Sequence, residues 1–193
     1  KYGADVNAIA NTANSALMIA SVGASRFEII KYLIDQGADP LVTNKRKENC
    51  LIRAAIFGDT ATLALLQSKG LSPNAADSTG MTPLLQAIFN VNRAGTIWLL
   101  NNGADPDMKA AFGLTAVAGV VTYNDLPSVM AVLNKAKNIN TTDDGGISAL
   151  MWAVYNEHDN PEIVQALLDR GADLNYKTKD GSTALSWALK KGN

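Results

Sequence analysis

Residues 77–87 read Asp77-Ser78-Thr79-Gly80-Met81-Thr82-Pro83-Leu84-Leu85-Gln86-Ala87. Thr82 suits a helix start because its hydroxyl can accept a hydrogen bond from a backbone N–H that the first turn leaves unpaired. Pro83 suits the next position because its fixed φ is helical. Leu84, Ala87 and Ile88 then follow the i, i+3, i+4 spacing of a buried helical stripe. The stretch predicts a turn followed by a helix with one apolar face.

The same pattern recurs along the chain with a period of about 33 residues. One series of anchors is a glycine turn at the end of each unit, namely Gly3, Gly37, Gly70, Gly103 and Gly171, with Lys137 in the one position that lacks glycine. A second series lies early in each first helix and comprises Leu17, Leu51, Leu84, Val117, Leu150 and Leu185. Two series in phase indicate a repeat architecture, in which each unit buries its apolar face on its neighbours. Since Lys137 lacks the freedom of glycine, we expect the second helix of that unit to end less regularly.

The unit resembles an ankyrin repeat, whose signature is a glycine turn, a Thr-Pro-Leu-His-x-Ala helix start and a closing Gly-Ala-Asp-x-Asn. The resemblance covers essentially all 193 residues. It implies an all-α fold, a solenoid of stacked helix-turn-helix units joined by β-turn or hairpin loops and curved with a concave face. The signature histidine is replaced in every copy, by Met18, Ile52, Leu85, Ala118, Met151 and Ser186. This removes a hydrogen-bond network and leaves the fold in place.

We expect one ankyrin-repeat domain over residues 1–193, because a solenoid has no single central core. Residues 1–9 end a preceding repeat, five repeats occupy 10–43, 44–76, 77–109, 110–142 and 143–176, and 177–193 form a partial repeat. The chain therefore begins and ends inside a repeat, and we expect it to be part of a longer protein. The helix start Ala149-Leu150-Met151-Trp152-Ala153 resembles a form frequent in bacterial ankyrin repeats, which favours a bacterial source.

Composition is that of a folded, soluble segment, with 47% hydrophobic and 18% charged residues. The formal net charge of -1 provides no broad attraction to nucleic acid or anionic lipid. No stretch approaches the roughly 20 apolar residues of a membrane-spanning helix. We therefore expect neither nucleic-acid binding nor membrane insertion, and a monomer is favoured. No targeting segment is visible, so the sequence does not define a compartment.

Residue types for catalysis or metal binding are scarce. The only histidine, His158, lies in a polar loop between helices and is interpreted as solvated, and the single cysteine, Cys50, lies three repeats away. A nucleophilic or metal site would need such residues close together. Asp143-Asp144-Gly145-Gly146 lacks the alternating ligands and final glutamate of a calcium loop and is interpreted as a turn between repeats. We expect no enzymatic activity, no cofactor and no metal.

The resemblance implies a noncatalytic scaffold that binds a protein or peptide partner on its concave face, through turn tips and the ends of first helices. The matching turn positions are Lys45, Arg46, Met81, Phe112 and Asp144, and the matching helix positions are Ile56, Phe57, Phe89, Asn90, Tyr123 and Tyr155. Aromatic side chains often dominate interface energetics. Packing against the next repeat is an equal alternative for Phe57 and Phe89, and a solvated turn is the alternative for the basic tip at Lys45 and Arg46.

Two other functions remain open. The segment could be a targeting or regulatory module of a larger enzyme whose catalytic domain lies outside it. It could instead be a structural spacer, which predicts no partner and a concave face of polar or buried residues.

Overall fold

The computed structural model describes residues 3, 5–11, 13–123, 125–156 and 160–191. Within these residues the regular structure consists of eleven α-helices, one 3₁₀ turn (Ala111–Gly113) and two isolated β-bridges, Ile9 with Ser15 and Thr142 with Ser148. The chain divides into two compact units, Lys1–Ala104 and Asp105–Asn193. In each unit consecutive helix pairs stack side by side, which is the solenoid packing that the repeats predict.

The first unit contains three helix pairs. They are α1 (Ala16–Ser21) with α2 (Phe27–Asp35), α3 (Cys50–Phe57) with α4 (Thr60–Ser68), and α5 (Pro83–Phe89) with α6 (Arg93–Asn101). First helices pack on first helices, α1 on α3 and α3 on α5, while α2 packs on α4 and α4 on α6. The anchor residues Leu17, Leu51 and Leu84 are fully buried. The apolar anchors read from the sequence therefore form the core of this unit.

The second unit contains α7 (Ala116–Val120), α8 (Leu126–Lys135), α9 (Ala149–Tyr155), α10 (Pro161–Asp169) and α11 (Ala184–Lys191). First helix α7 packs on α9 and α9 on α11, while α8 packs on α10. The anchors Val117 and Leu150 are buried here too, but Leu185 is 64% exposed. Leu185 departs from the anchor pattern because it lies on the last described helix, on a side that no described helix covers.

Local sequence explains where the helices begin and end. A side-chain oxygen caps each of five first helices by accepting the backbone N–H three residues on, and the capping residues are Ser15, Asn49, Thr82, Thr115 and Ser148. Left-handed glycines close four turns after second helices, at Gly37, Gly70, Gly103 and Gly171. In the fourth unit the glycine position, 14 residues before the anchor Leu150 as in the other repeats, is occupied by Ala136 and not by Lys137. As a missing glycine predicts, α8 ends differently there, with Ala136 extended at φ -65° and ψ 136°.

Closing asparagines join three of the repeats to the next one, through Asn7, Asn74 and Asn140. Asn140 donates a 2.9 Å hydrogen bond from its side chain to Gly171 O and accepts one of 2.8 Å from Asp173 N. Asn7 makes the same pair of bonds in the first unit. These side chains satisfy main-chain groups that the turn leaves unpaired. Leu41 occupies this position after α2, where its side chain can make neither bond, and it is largely exposed.

Candidate partner-binding surface

Turn tips of neighbouring repeats are joined by main-chain hydrogen bonds. Ser78 N–H donates to Arg46 O at 2.8 Å in the first unit, and Asp144 N–H donates to Phe112 O at 2.9 Å in the second. The second pair of tips is so close that a Cβ on Gly113 would lie 2.8 Å from Asp144 N. In each unit a main-chain hydrogen bond therefore holds two neighbouring tips together and forms an ordered edge.

The turn residues predicted from the sequence differ in exposure. Lys45, Arg46 and Asp144 are exposed, Met81 is half-buried and Phe112 is 82% exposed. Arg46 Nη1 lies 3.7 Å from Glu48 Oε1. The basic tip is therefore partly neutralised by a carboxylate, whereas Phe112 presents almost its whole ring to solvent.

The backbone of Phe112 is in the left-handed region, with φ 62° and ψ 21°. This conformation is uncommon for a residue with a side chain. At the corresponding tip of the preceding repeat, Thr79 N–H donates at 2.8 Å to the side-chain Oδ1 of Asp77. Ala110 stands where Asp77 stands and has no acceptor on its side chain, so the tip at Phe112 lacks this restraint. Strained residues are enriched at binding sites, which makes Phe112 a strong candidate.

The first-unit helix positions combine exposed and partly packed side chains. Phe57 is 54% exposed, whereas Ile56, Phe89 and Asn90 are half-buried. The Asn90 side chain donates at 2.8 Å to Gln86 O in its own helix. Phe57 is thus the residue of this group with the most ring surface available to a partner.

In the second unit Tyr155 belongs to a cluster of three aromatic rings. Its ring centroid lies 5.2 Å from that of Trp187 and 6.5 Å from that of Trp152, and the two tryptophans are 6.2 Å apart, all in edge-to-face arrangement. Lys191 Nζ lies 4.9 Å from the centre of the Tyr155 ring, within cation–π range. These contacts fix the orientation of Tyr155, which nevertheless remains 45% exposed.

The sequence analysis did not predict Trp152 and Trp187 as site residues, although their spacing in the sequence indicates that they lie near Tyr155. Trp152 precedes Tyr155 by three residues, which places both side chains on one helix face. Trp187 follows Trp152 by one repeat length and therefore occupies the same position in the next first helix. A search for aromatics at one repeat position would have found the pair.

An open cavity of about 270 Å³ adjoins this cluster, lined by Thr122, Trp152, Tyr155, Asn156 and Lys191. The Asn156 side chain donates to Val121 O at 3.1 Å and to Thr122 O at 2.7 Å, which holds the ends of two neighbouring first helices together. Tyr123, predicted as a site residue, is 37% exposed on the loop after α7. The second unit thus offers a shaped, partly aromatic concavity as well as exposed rings.

Other chemistry is sparse in the described part of the chain. No group of three His, Cys, Asp or Glu side chains among the described residues could hold a metal ion, and His158 lies outside them. Cys50 is fully buried, and burial raises the pKa of its thiol to about 11, so the thiol is protonated at neutral pH and is a poor nucleophile. None of the described helices has the length and apolar character needed to cross a bilayer.

Stacked helix pairs, capped first helices and tips joined by main-chain bonds define a helical repeat protein that presents an ordered edge of turns. A family model for three copies of the ankyrin repeat matches residues 17–110 and 116–193. The chain therefore belongs to the ankyrin-repeat family, whose members generally mediate protein–protein interactions.

Curated relatives share this chain's repeats as part of larger proteins. Ankyrin repeat and SAM domain-containing protein 6 of Rattus norvegicus is 33% identical over 101 residues, 51% of this chain and 11% of that protein. Palmitoyltransferase AKR1 of Lachancea kluyveri is 26% identical over 169 residues, 85% of this chain and 22% of the enzyme. The chain thus spans roughly a tenth to a fifth of the length of these relatives.

A solved structure matches nearly the whole chain. It is the complex of the Bd0816 predatory endopeptidase from Bdellovibrio bacteriovorus with the immunity protein Bd3460. One of its chains superposes with a TM-score of 0.82 at 25% identity, over 96% of this chain and 94% of that one.

Proposed function

We propose that this segment is a noncatalytic scaffold that binds a protein or peptide partner through its turn tips and the ends of its first helices. The observation that carries the proposal is the exposure of aromatic rings at these positions, at Phe57 and in the second unit at Phe112, Tyr123 and Tyr155. Large aromatic side chains supply much of the binding energy at interfaces. The first unit contributes one such ring and the second unit three, so the proposal applies to each unit by itself.

A role as a structural spacer explains these exposed side chains less well than a binding role does. A spacer needs polar or packed residues on this face, whereas Phe112 is almost fully exposed in a strained turn and Phe57 is more than half exposed. The solved neighbour supports a folded protein as the partner, because it belongs to a complex of an endopeptidase with an immunity protein.

Two single variants test whether the turn tips and the ends of the first helices bind the partner. They are Phe57→Ala in the first unit and Phe112→Ala in the second. The matched control is Tyr32→Ala, which truncates a ring that is 63% exposed on second helix α2. The whole chain is used as bait in a lysate of the encoding organism, captured proteins are identified by mass spectrometry, and affinity is then measured by calorimetry with the purified partner. Phe89 is left out because truncating a half-buried ring also removes packing.

We expect each phenylalanine variant to weaken binding by at least about tenfold, the effect of losing about 1.4 kcal/mol, with little change in melting temperature. Tyr32→Ala should bind as the wild type does. Loss of binding in Tyr32→Ala alone would place the interface on the second helices, and the absence of any captured partner would favour the spacer.

A second proposal is that the repeats are a targeting or regulatory module of a larger enzyme. The match to Palmitoyltransferase AKR1 favours it, since the chain corresponds there to only 22% of an enzyme. Deleting the repeats from the full-length protein should then leave turnover of a minimal substrate intact and abolish its delivery to the correct partner or site. Equal loss of turnover and of delivery would argue for a direct catalytic role of the repeats.

A further inference from the structure

We propose that the basic tip, which consists of Lys45, Arg46 and Lys47, binds an acidic segment of the partner protein. The inference rests on the proposed binding function and names the chemistry of one contact within it. All three side chains are exposed. The corresponding turn of the next repeat, Ser78-Thr79-Gly80, carries no charge. The repeat fold therefore does not require cations at this turn.

Little of the positive charge of the basic tip is neutralised within the protein. In the part of the chain that the structure describes, neither the Lys45 nor the Lys47 ammonium has a hydrogen-bond or ion-pair partner. Arg46 Nη1 lies 3.7 Å from Glu48 Oε1, but Glu48 Oε2 already accepts a 2.9 Å hydrogen bond from Arg53 Nη1. One carboxylate is therefore shared between two guanidinium groups, and the tip keeps a net positive charge.

The two neighbouring tips contribute a single carboxylate between them. On one side, Oδ1 of Asp77 accepts the N–H groups of Thr79 at 2.8 Å and of Met81 at 2.9 Å, and the Asp77 side chain is half-buried. On the other side, the preceding tip reads Ala10-Asn11-Thr12-Ala13 and contains no ionisable side chain. Positive charge is therefore in excess along this stretch of the edge, and it attracts anions.

The backbone of the basic tip is ordered before a ligand arrives. The side-chain Oδ1 of Asn44 accepts the N–H groups of Arg46 at 2.9 Å and of Glu48 at 3.1 Å, and Arg46 O accepts the N–H of Ser78. Lys47 has a left-handed φ of 60°, and strained residues are enriched at binding sites. An ordered backbone also lowers the entropic cost of bringing three charges to one ligand.

Nucleic acid and anionic lipid are the competing ligands of a basic surface. Both present their charge over an extended length or area, and duplex DNA carries one charge per about 1.7 Å of its axis. Here the cations are confined to one turn, and the whole chain has a formal net charge of -1. A short segment with a few Asp or Glu side chains is complementary to such a localised charge.

Phage-displayed random twelve-residue peptides, selected on the whole chain and counter-selected on a tip variant, provide the test. The tip variant combines Lys45→Ser, Arg46→Thr and Lys47→Gly, which gives this turn the residues of the next repeat's turn. Its melting temperature should be at least that of the wild type, because glycine adopts a positive φ without steric cost. Retained peptides should share two or more Asp or Glu residues.

A synthetic version of the best peptide should lose at least about tenfold in affinity for the tip variant. It should lose the same factor for the wild type when its acidic residues are changed to amides. The two losses should not add, because both remove the same contact. Lys45→Gln alone, at a position without a positive φ, should show part of the loss and keeps the inference testable if the tip variant is unstable.

Lys179→Gln is the matched control for Lys45→Gln. Lys179 is exposed at the same turn position in the second unit, where Asp180 follows it in place of a second cation. We expect Lys179→Gln to bind the peptide as the wild type does. Equal losses in the two variants would show general electrostatic attraction and overturn the inference.

Other outcomes would also overturn the acidic contact. They are peptides without acidic residues, the enrichment of none, and binding of duplex DNA or phosphatidylserine vesicles in place of peptides. If nothing survives the counter-selection and the peptides selected before it lose affinity only on Phe57→Ala, the acidic contact is overturned while the binding function stands.

Discussion

The indole Nε1–H of Trp152 donates a 3.1 Å hydrogen bond to Oδ2 of Asp143, nine residues earlier in the chain. The other carboxylate oxygen accepts the N–H of Ile147 at 2.9 Å. A single carboxylate therefore couples the turn at the start of a repeat to the inner face of its first helix. This coupling positions the aromatic wall of the cavity.

Asp143→Ala should lower the free energy of unfolding by about 2 kcal/mol, because hydrogen bonds to a charged group contribute about 1.5–3 kcal/mol. Urea denaturation followed by tryptophan fluorescence measures it. The neighbouring Asp144→Ala removes the same charge from an exposed side chain and should change stability by less than about 0.5 kcal/mol. Equal effects of the two variants would contradict the coupling.

Glu48 and Arg53 should behave as a coupled pair in the first unit. Their charged groups lie 2.9 Å apart, with side chains only 10% and 19% exposed. Either Glu48→Met or Arg53→Gln alone leaves a poorly solvated charge and should cost about 3 kcal/mol or more. The double variant, which carries the residues of the next repeat at these positions, Met81 and Gln86, should cost far less than the sum. A double-mutant cycle in urea checks this, and strict additivity would contradict it.

Lys47→Gly should stabilise the chain. Lys47 has φ of 60° at a turn position where Gly80, Gly113, Gly146 and Gly181 stand in other repeats. A left-handed residue with a side chain costs roughly 1–2 kcal/mol, part of which is offset by the greater freedom of glycine in the unfolded chain. We expect a net gain of about 0.5–1 kcal/mol in thermal or urea unfolding. Lys45→Gly, in the same turn without a positive φ, should not stabilise.

Stability should fall between about pH 9 and pH 11 because of Cys50. Burial raises the pKa of its thiol from 9.0 to about 11, so in this window the unfolded chain has lost a proton that the folded chain keeps. The unfolded state then binds fewer protons, and the free energy of unfolding decreases as pH rises. Two pKa units correspond to about 2–3 kcal/mol.

The measurement is urea unfolding at pH 8 and pH 10.5 for the wild type and for Cys50→Ala. Alanine occupies the same position in other repeats, at Ala16, Ala116, Ala149 and Ala184. The variant should lose less stability over this range, since it lacks the thiol while every other titrating group is unchanged. Identical pH dependence of the two proteins would show that the thiol makes no contribution.

Periodicity was sufficient to predict most of the fold, but it did not predict which residues of the candidate surface are exposed. Local sequence predicts the caps at Thr82 and Ser148 and the core anchors, because every repeat packs the same positions against its neighbours. The exposure of side chains at helix ends does not follow from local sequence. Phe57 and Phe89 both end first helices, yet only Phe57 is largely exposed. The ring cluster depends on side-chain directions in two neighbouring helices, which a single-repeat pattern does not contain.

Main-chain hydrogen bonds join neighbouring tips between Arg46 O and Ser78 N and between Phe112 O and Asp144 N, and these two bonds use no side-chain atom. The scaffold consequently places few demands on which side chains project there. Natural drift or a laboratory library could diversify these positions while preserving the register of the repeats. Substitutions at these positions can therefore change which partner is bound with little loss of fold stability. This edge is a suitable starting point for engineering new binding specificities.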